Sequence, residues 1–575
     1  MNHTGAPYSV RNALRAVFEE RLSATSFRIG HPAQRRSFHE YFVTHLPSSS
    51  LSPDKQPGGS HHRLPRNESQ PHSQGSSRRS AANLPQSSRD TTIVRIPIKN
   101  AKHHFGAGVS RGSRPYNEDT YQAGTIEIPA FAKRQPISVS RRAGGASKNG
   151  EDSGVTNLAA KSESGDPQVF YFGIYDGHGG AECSAFLRDR LHGYVEEAAL
   201  LFGMESTLQP STSADVDVDD ADSESGVMGA QDAYDLQKSL VSTWKETVGG
   251  YFKRFRPDYF PAITNKSGSD SRGETVQSNS IETILTYAFL KADLDFTTAQ
   301  AHKHTEKKPA AQPPPDDDPV LSDRPLNDND VLFHPERPAS QNLRARAKLS
   351  SSPDLTAPIG GSTRFKGGST ASVALIATPT PTPFWHPASP STLIAAHVGD
   401  TRILLCRSSD GKAVPLTTNH HPSAPVEATR LRRYAASFVT DSFGEERVLG
   451  LANTRAFGDI ASKRIGVSAE PQLTKVDLPA AGYSFLVLMS DGVSGHLDDQ
   501  EIVDVVKEAK TPADAANALV SFAVEVSEDA DNATALVVRL GGWERRNEGG
   551  GGSLGTKERR LWRRNEAMDP RSRRQ

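Results

Sequence analysis

Short apolar runs separated by polar turns mark the parts of this sequence able to form a core. Val169–Tyr175 (VFYFGIY) and Ser484–Met489 (SFLVLM) are runs of strand length and predict buried strands. Leu393–Val398 and Arg402–Cys406 flank a Gly-Asp turn and predict a hairpin, and Ala533–Leu540 predicts a further strand. Helical patterns run over Ala181–Phe202, Ser280–Thr297, Asp498–Ala509 and Pro512–Val526. The strands come as neighbours rather than in strict alternation with helices, so the pattern predicts an α+β fold with an antiparallel sheet core.

Other stretches show no hydrophobic period. Residues 46–92 run through Ser48-Ser49-Ser50 and Pro57-Gly58-Gly59-Ser60 and predict a flexible linker. Segments near 132–166, 205–232, 264–280 and 301–361 read the same way, as long disordered insertions in a domain spanning 93–541. Their acidic runs, such as Asp316-Asp317-Asp318, read as solvated loops. Residues 542–575 are Gly- and Arg-rich and predict a disordered basic tail. In residues 1–45, Val10, Leu14, Phe18 and Leu22 form a helical stripe beside Arg11, Arg15 and Arg21, and acids are scarce. Such an amphipathic, Arg-rich start resembles a mitochondrial targeting segment, against the alternative of an ordinary surface helix.

Composition agrees with one core rather than several. The chain has 575 residues, a length that allows three or four domains, yet only 35% are apolar and 38 are Pro. One large domain with polar insertions reconciles the two figures. With 67 Lys and Arg against 68 Asp and Glu, the net charge of -1 predicts no nucleic-acid partner. Cys183 and Cys406 are the only cysteines, too few for a disulfide framework or a cysteine zinc site. No apolar run reaches the ~18 residues of a membrane span.

Four carboxylate clusters then stand out in turns beside predicted strands. They are Asp176-Gly177-His178-Gly179-Gly180, Ser490-Asp491-Gly492, Asp529-Ala530-Asp531-Asn532, and Arg114-Pro115-Tyr116-Asn117-Glu118-Asp119. Each alone reads as a turn. Together they offer oxygen ligands of the kind that hard divalent cations such as Mg2+ or Mn2+ take, and buried like charges need a cation among them. His178 could act as an acid or base near neutral pH.

With neighbouring segments, these clusters resemble the ordered motifs of the metal-dependent, type 2C Ser/Thr protein phosphatases. The motifs read SRGSRPYNEDTY (110–121), VFYFGIYDGHGG (169–180), GGSTASVALI (367–376), AAHVGDTRILLC (395–406), LANTRAFGD (451–459), VSAEPQL (467–473), LVLMSDGVSG (486–495) and EDADNATALVV (528–538). The resemblance covers about residues 100–541. It implies a central sandwich of two antiparallel β-sheets flanked by α-helices and a site for two Mn2+ or Mg2+ ions. Asp176 resembles the bridging carboxylate, Gly177 a carbonyl ligand, and Asp491 and Asp531 ligands of the second ion. Glu118 and Asp119 resemble the pair that holds metal-bound waters, Arg114 the phosphate-binding arginine, and His178 the general acid.

The implied reaction is attack on phosphorus by a water that the two ions acidify, with Arg114 neutralising the equatorial oxygens. Thr454, Arg455, Gly458, Asp459 and the Gly399-Asp400 turn read as structural. Two departures from the family pattern, Gly495 four residues after Asp491 and Phe365 three residues before Gly368, imply two ions rather than three. The competing reading is a phosphatase-like module without activity, against which stand the retained Asp176, Asp491, Asp531, Arg114 and His178. The pattern is similar to the fungal mitochondrial branch of the family. That likeness implies a mitochondrial location, rather than a cytoplasmic or nuclear one. It also implies phosphorylated protein substrates such as the pyruvate dehydrogenase complex or mitochondrial turnover factors, and a monomer.

Overall fold

A computed structural model describes residues 41–47, 91–97, 104–134, 166–208, 230–264, 279–301, 303, 359–361, 363–432, 438–440, 446–448, 450–527, 529–546, 558 and 561–565. Residues 1–40, most of the expected linker, and the interiors of the four expected insertions lie outside the described residues. Tyr41–Pro47 and Thr91–Pro97, at the two ends of that linker, pair antiparallel.

Two antiparallel sheets form the centre. One contains β2 (Thr120–Ile126), β3 (Val169–His178), β4 (Gly368–Ala377), β5 (Ser391–Val398) and β8 (Gln472–Leu478), in the order β8-β5-β4-β3-β2, with Phe457–Gly458 also paired to β4. The other contains β1 (Phe105–Ser110), β6 (Arg402–Arg407), β7 (Ala413–Pro415), β9 (Tyr483–Met489) and β10 (Ala533–Arg539), in the order β1-β10-β9-β6-β7.

The apolar runs are unbroken because both faces of their strands are covered. On β3, Phe170, Phe172 and Ile174 join Ile376, Leu393, Ile403, Leu486 and Leu536 in the layer between the sheets. Val169, Tyr171 and Tyr175 face the other way, into a cluster with Leu187 and Leu191 of α1 (Glu182–Leu201) and Ile284 and Ala288 of α3 (Ile281–Ala301). The second sheet repeats the arrangement. Leu486 and Leu488 point inward, while Phe485, Val487 and Met489 pack on α6 (Asp499–Glu508) and α7 (Pro512–Val526). Each such side chain contributes about 1.5–3 kcal/mol on burial, and a strand alternating between two apolar layers collects this at every position.

The helices expected over 181–202, 280–297, 498–509 and 512–526 are present within a few residues of those limits. A further helix, α2 (Ala230–Thr247), follows a stretch read as an insertion, and its Trp244 is wholly buried. Residue 541 does not end the packed chain. Trp543 is buried against Phe485 with ring centroids 6.0 Å apart, and Arg563 and Arg564 of the tail pair with Glu501 and Glu525.

Register fixes where the turns fall. Thr120 at the start of β2 stands opposite Tyr175, Gly368 at the start of β4 opposite His178, and Val398 at the end of β5 opposite Ala371. In the second sheet Met489, at the end of β9, stands opposite Ala535 and Arg402. The turns bearing Asp119, Asp176, Asp400, Asp491 and Asp531 therefore gather at one end of the sandwich.

Candidate metal centre

Asp176 ends the apolar part of β3, Asp400 sits in the β5–β6 turn, and Asp491 opens the short helix α5 (Asp491–Ser494). One carboxylate oxygen from each lies within 4.8 Å of the others, and all three residues are half-buried. The Asp491 amide also lies 3.5 Å from Asp176 Oδ2. The close packing that brings α5 here depends on Gly492, where a Cβ would sit 2.0 Å from the Asn532 carbonyl oxygen.

The electrostatics are unfavourable without a counter-charge. Burial, then repulsion from Asp491, Asp119 and Asp400, pushes the Asp176 carboxyl well above its ordinary value. Burial and the Asp400 charge push Asp491 up to about 7. Asp119 is 6% exposed, and burial is the main cause that pushes it up to about 6. Both of its carboxylate oxygens lack a hydrogen bond of ordinary geometry, although the Ser490 and Thr534 hydroxyls are close enough to temper the shift. Orphaned carboxylate oxygens beside three converging carboxylates make an all-oxygen donor set, which fits a hard divalent cation.

The remaining predicted residues form the rim. Arg114 Nη2 donates to Asp531 Oδ2 at 2.8 Å. Glu118 turns its carboxylate to the Gly180 amide, 2.6 Å from Oε1, so its side chain supports the loop after Asp176 and stands outside the three-carboxylate group. Asn532 ties the rim to the β10 turn. Its Oδ1 accepts from the Glu118 amide at 2.7 Å, and its Nδ2 donates to the carbonyls of Arg111 and Tyr116, each at 3.0 Å. Gly177 follows Asp176 in β3, opposite Ser369.

Two residues that the sequence reading set aside as structural belong to this site. Asp400 is one, held by Asn453 Nδ2 at 2.9 Å. The signal was present, since Gly399-Asp400 follows a buried strand as Asp176-Gly177 does. Asp459 is the other: both of its oxygens lie 2.9 Å from His178 Nε2. Burial pushes the imidazole pKa down, but the Asp459 hydrogen bond and charge outweigh it, and the net shift is upward.

A protein phosphatase 2C homolog of Schizosaccharomyces pombe is 30% identical to this chain over 455 residues, covering 79% of this chain and 84% of that one. The chain belongs to the protein phosphatase 2C family. The family model, described as protein phosphatase 2C, matches residues 318–531, a span that includes Asp400, Asp491 and Asp531. A Xenopus laevis protein named protein phosphatase 1K, mitochondrial, is 39% identical over 152 residues, 26% of this chain and 40% of that one. Among solved structures, a serine-threonine phosphatase 2C from Toxoplasma gondii is similar at 14% identity, with a TM-score of 0.38, covering 76% of this chain and 94% of that one. As a protein phosphatase 2C this chain is a phosphatase of phosphorylated proteins, and dependence on metal ions is general for its family. Among the described residues, no helix is long and apolar enough to cross a membrane.

Proposed function

We propose that this chain hydrolyses phosphoserine and phosphothreonine in proteins at a site holding two Mn2+ or Mg2+ ions. The observation that carries this reading is the convergence of Asp176, Asp400 and Asp491 within 4.8 Å of one another. Asp176, the Gly177 carbonyl, Asp491 and Asp531 would hold the ions, with Asp400 beside them, and Asp119 would hold ordered water, which Glu118 would join on releasing the Gly180 amide. Two ions rather than three follow from Gly495 and Phe365, which bring no carboxylate, and a titration resolving three catalytically linked sites would overturn that count.

Ions bound there supply positive charge against the phosphoryl group and a water acidic enough to attack phosphorus at neutral pH. Arg114 exchanges its contact with Asp531 for two phosphoryl oxygens, a task that suits a planar guanidinium. His178 would act as the imidazolium: its Nε2–H stays on Asp459, and its Nδ1–H passes to the departing serine or threonine oxygen, leaving the neutral ring. No thiol takes part, since Cys183 and Cys406 are buried and burial pushes both up.

Hydrolysis of a phosphoserine peptide by purified full-length protein, with and without Mn2+, tests the reading. Turnover is expected only with the cation, and a folded protein without turnover in either Mn2+ or Mg2+ overturns it. We also place the protein in mitochondria, on the Arg-rich amphipathic segment within residues 1–45 and the partial similarity to a mitochondrial relative. Phosphorylated mitochondrial enzymes, the pyruvate dehydrogenase complex among them, or turnover factors then become the substrates to assay. A fluorescent fusion of residues 1–50 that stays in the cytosol would remove this placement.

A further inference from the structure

Helix α3 carries Asp293, and the helical turn Ile460–Ile465 carries Lys463. Both side chains are wholly buried, and Lys463 Nζ lies 2.6 Å from Asp293 Oδ2. A buried ion pair of this kind gains little over apolar side chains of the same volume, because withdrawing two charges from water offsets their attraction. Stability alone therefore does not explain it. The other bonds of the pair do. Asp293 Oδ1 accepts from the Gly458 amide at 2.9 Å, and Lys463 Nζ donates to the Ala456 carbonyl at 2.8 Å. The pair thus grips the backbone on both sides of Phe457, two residues before Asp459.

Asp459 itself sits in the left-handed region, with φ 44° and ψ 48°, which a non-glycine residue keeps only when its surroundings dictate it. Gly458 has φ 70°, and its amide is the one held by Asp293. The Asp459 amide donates to the Gly367 carbonyl at 3.0 Å. Gly368 leaves room for the carboxylate, since a Cβ there would lie 2.4 Å from Asp459 Oδ2. The outcome is one placement of the Asp459 side chain, 5% exposed, with both oxygens on His178 Nε2.

We propose that the buried Asp293–Lys463 pair is a positioning device for His178: it fixes Ala456–Gly458, which sets Asp459, which holds Nε2 and so sets the orientation of the imidazole. The inference rests on the reading of His178 as proton donor to the leaving oxygen. Asp293, Lys463 and Asp459 act through His178 and touch no substrate.

Two variants of the full-length protein test it. Asp293→Asn keeps an oxygen for the Gly458 amide but removes the charge. The double exchange Asp293→Leu with Lys463→Met replaces the pair by apolar side chains of similar volume. Both are expected to keep wild-type Mn2+ affinity by calorimetry and wild-type kcat on p-nitrophenyl phosphate, whose leaving group needs no proton. On a phosphoserine peptide kcat should fall by about 10–100-fold at unchanged KM, part of the ~100-fold or more that a general acid supplies. In the metal-free protein, at a pH where the ring is neutral, the 15N resonances of His178 should pass from a form with hydrogen on Nε2 alone to a mixture of the two tautomers.

Unchanged peptide turnover, equal slowing of both substrates, or lost Mn2+ affinity would each overturn the proposal. If either variant does not fold, as removal of one buried charge invites, the other and its His178 resonances decide. A wild-type protein without phosphopeptide turnover would strike the phosphatase reading instead, and the resonances would still test the positioning.

Discussion

Arg114 and Asp531, 417 residues apart in sequence, meet at the mouth of the carboxylate cluster through a 2.8 Å hydrogen bond from Nη2 to Oδ2. The side chains are 50% and 41% exposed, so the pair contributes at most about 1 kcal/mol and can be exchanged for other partners. Each partner has a second use in the proposed reaction: the guanidinium for the phosphoryl group, the carboxylate for a cation.

Arg114→Ala should therefore leave the protein folded and lower kcat/KM on a phosphopeptide by about 100-fold, or ~3 kcal/mol, as expected for loss of one strong donor to developing charge. Arg114→Lys should recover only part of this, because an ammonium cannot bind two oxygens in a fork. Steady-state kinetics on the two variants checks both statements. Full recovery by lysine would show that charge alone suffices.

Asp176→Asn removes the carboxylate most crowded by like charges. Its expected signature is opposite in sign for stability and activity. The metal-free variant should melt at a higher temperature than the metal-free wild type, because repulsion with Asp491, Asp119 and Asp400 is relieved. Mn2+ should no longer raise its melting temperature, and hydrolysis should be abolished. A variant that still gains stability from Mn2+ would remove Asp176 from the proposed ligand set.

The response to cations should depend on pH. Asp119 is pushed up to about 6 and Asp491 to about 7, whereas carboxyls of an unfolded chain titrate near ~4. The folded, cation-free protein therefore holds protons that the unfolded chain has lost. Its stability falls as pH rises from about 4 to about 7 and stays low above that. Cations replace those protons, so the rise in melting temperature on adding Mn2+ should be small near pH 5 and grow through about pH 7. Melting curves across that range, with and without Mn2+, measure it, and a flat response would contradict it.

Glu427, on α4 (Pro425–Arg432), tests the support beneath Asp400. Its side chain is buried between Arg430 Nη2 and Arg455 Nη2, each at 2.7 Å, and it accepts from Thr454 Oγ1 at 2.7 Å. Thr454 holds the carbonyl of His420, whose ring accepts from the Gly399 amide at 2.9 Å. Burial pushes the Glu427 pKa up, but the two arginines outweigh it and the net shift is downward. Its contribution to stability is therefore present above the ordinary carboxyl range and lost as pH falls below that range towards the depressed folded value. Glu427→Gln should cost about 2–3 kcal/mol at neutral pH by urea denaturation, since two half-buried arginines lose a buried counter-charge. A loss below about 1 kcal/mol would mean that water takes over the role.

Much of the site was legible because its residues lie in short local patterns. Asp176 closes one apolar run, Asp491 follows another and Asp531 precedes a third, and Arg114 stands four residues before Glu118. Glu118 shows the limit of that reading, since in the structure its carboxylate caps the Gly180 amide. Helix α2 escaped detection because it adjoins an acidic stretch and its apolar stripe, Ala233, Leu236, Leu240 and Trp244, is narrow among polar residues.

The sequence by itself determined the elements: alternation and apolar runs are local, and strands and helices follow from backbone geometry acting over a few residues. It also marked most of the carboxylates, because a cluster of acids in a turn is visible without a fold. Only the tertiary structure decided that two Gly-Asp turns join the candidate site. Asp400 and Asp459 look like any other turn aspartate until strand register sets one beside Asp176 and Asp491, and a buried ion pair from a distant helix sets the other against His178. The physical reason is that a turn's conformation is local, whereas the charges and hydrogen bonds its side chain meets come from segments hundreds of residues away.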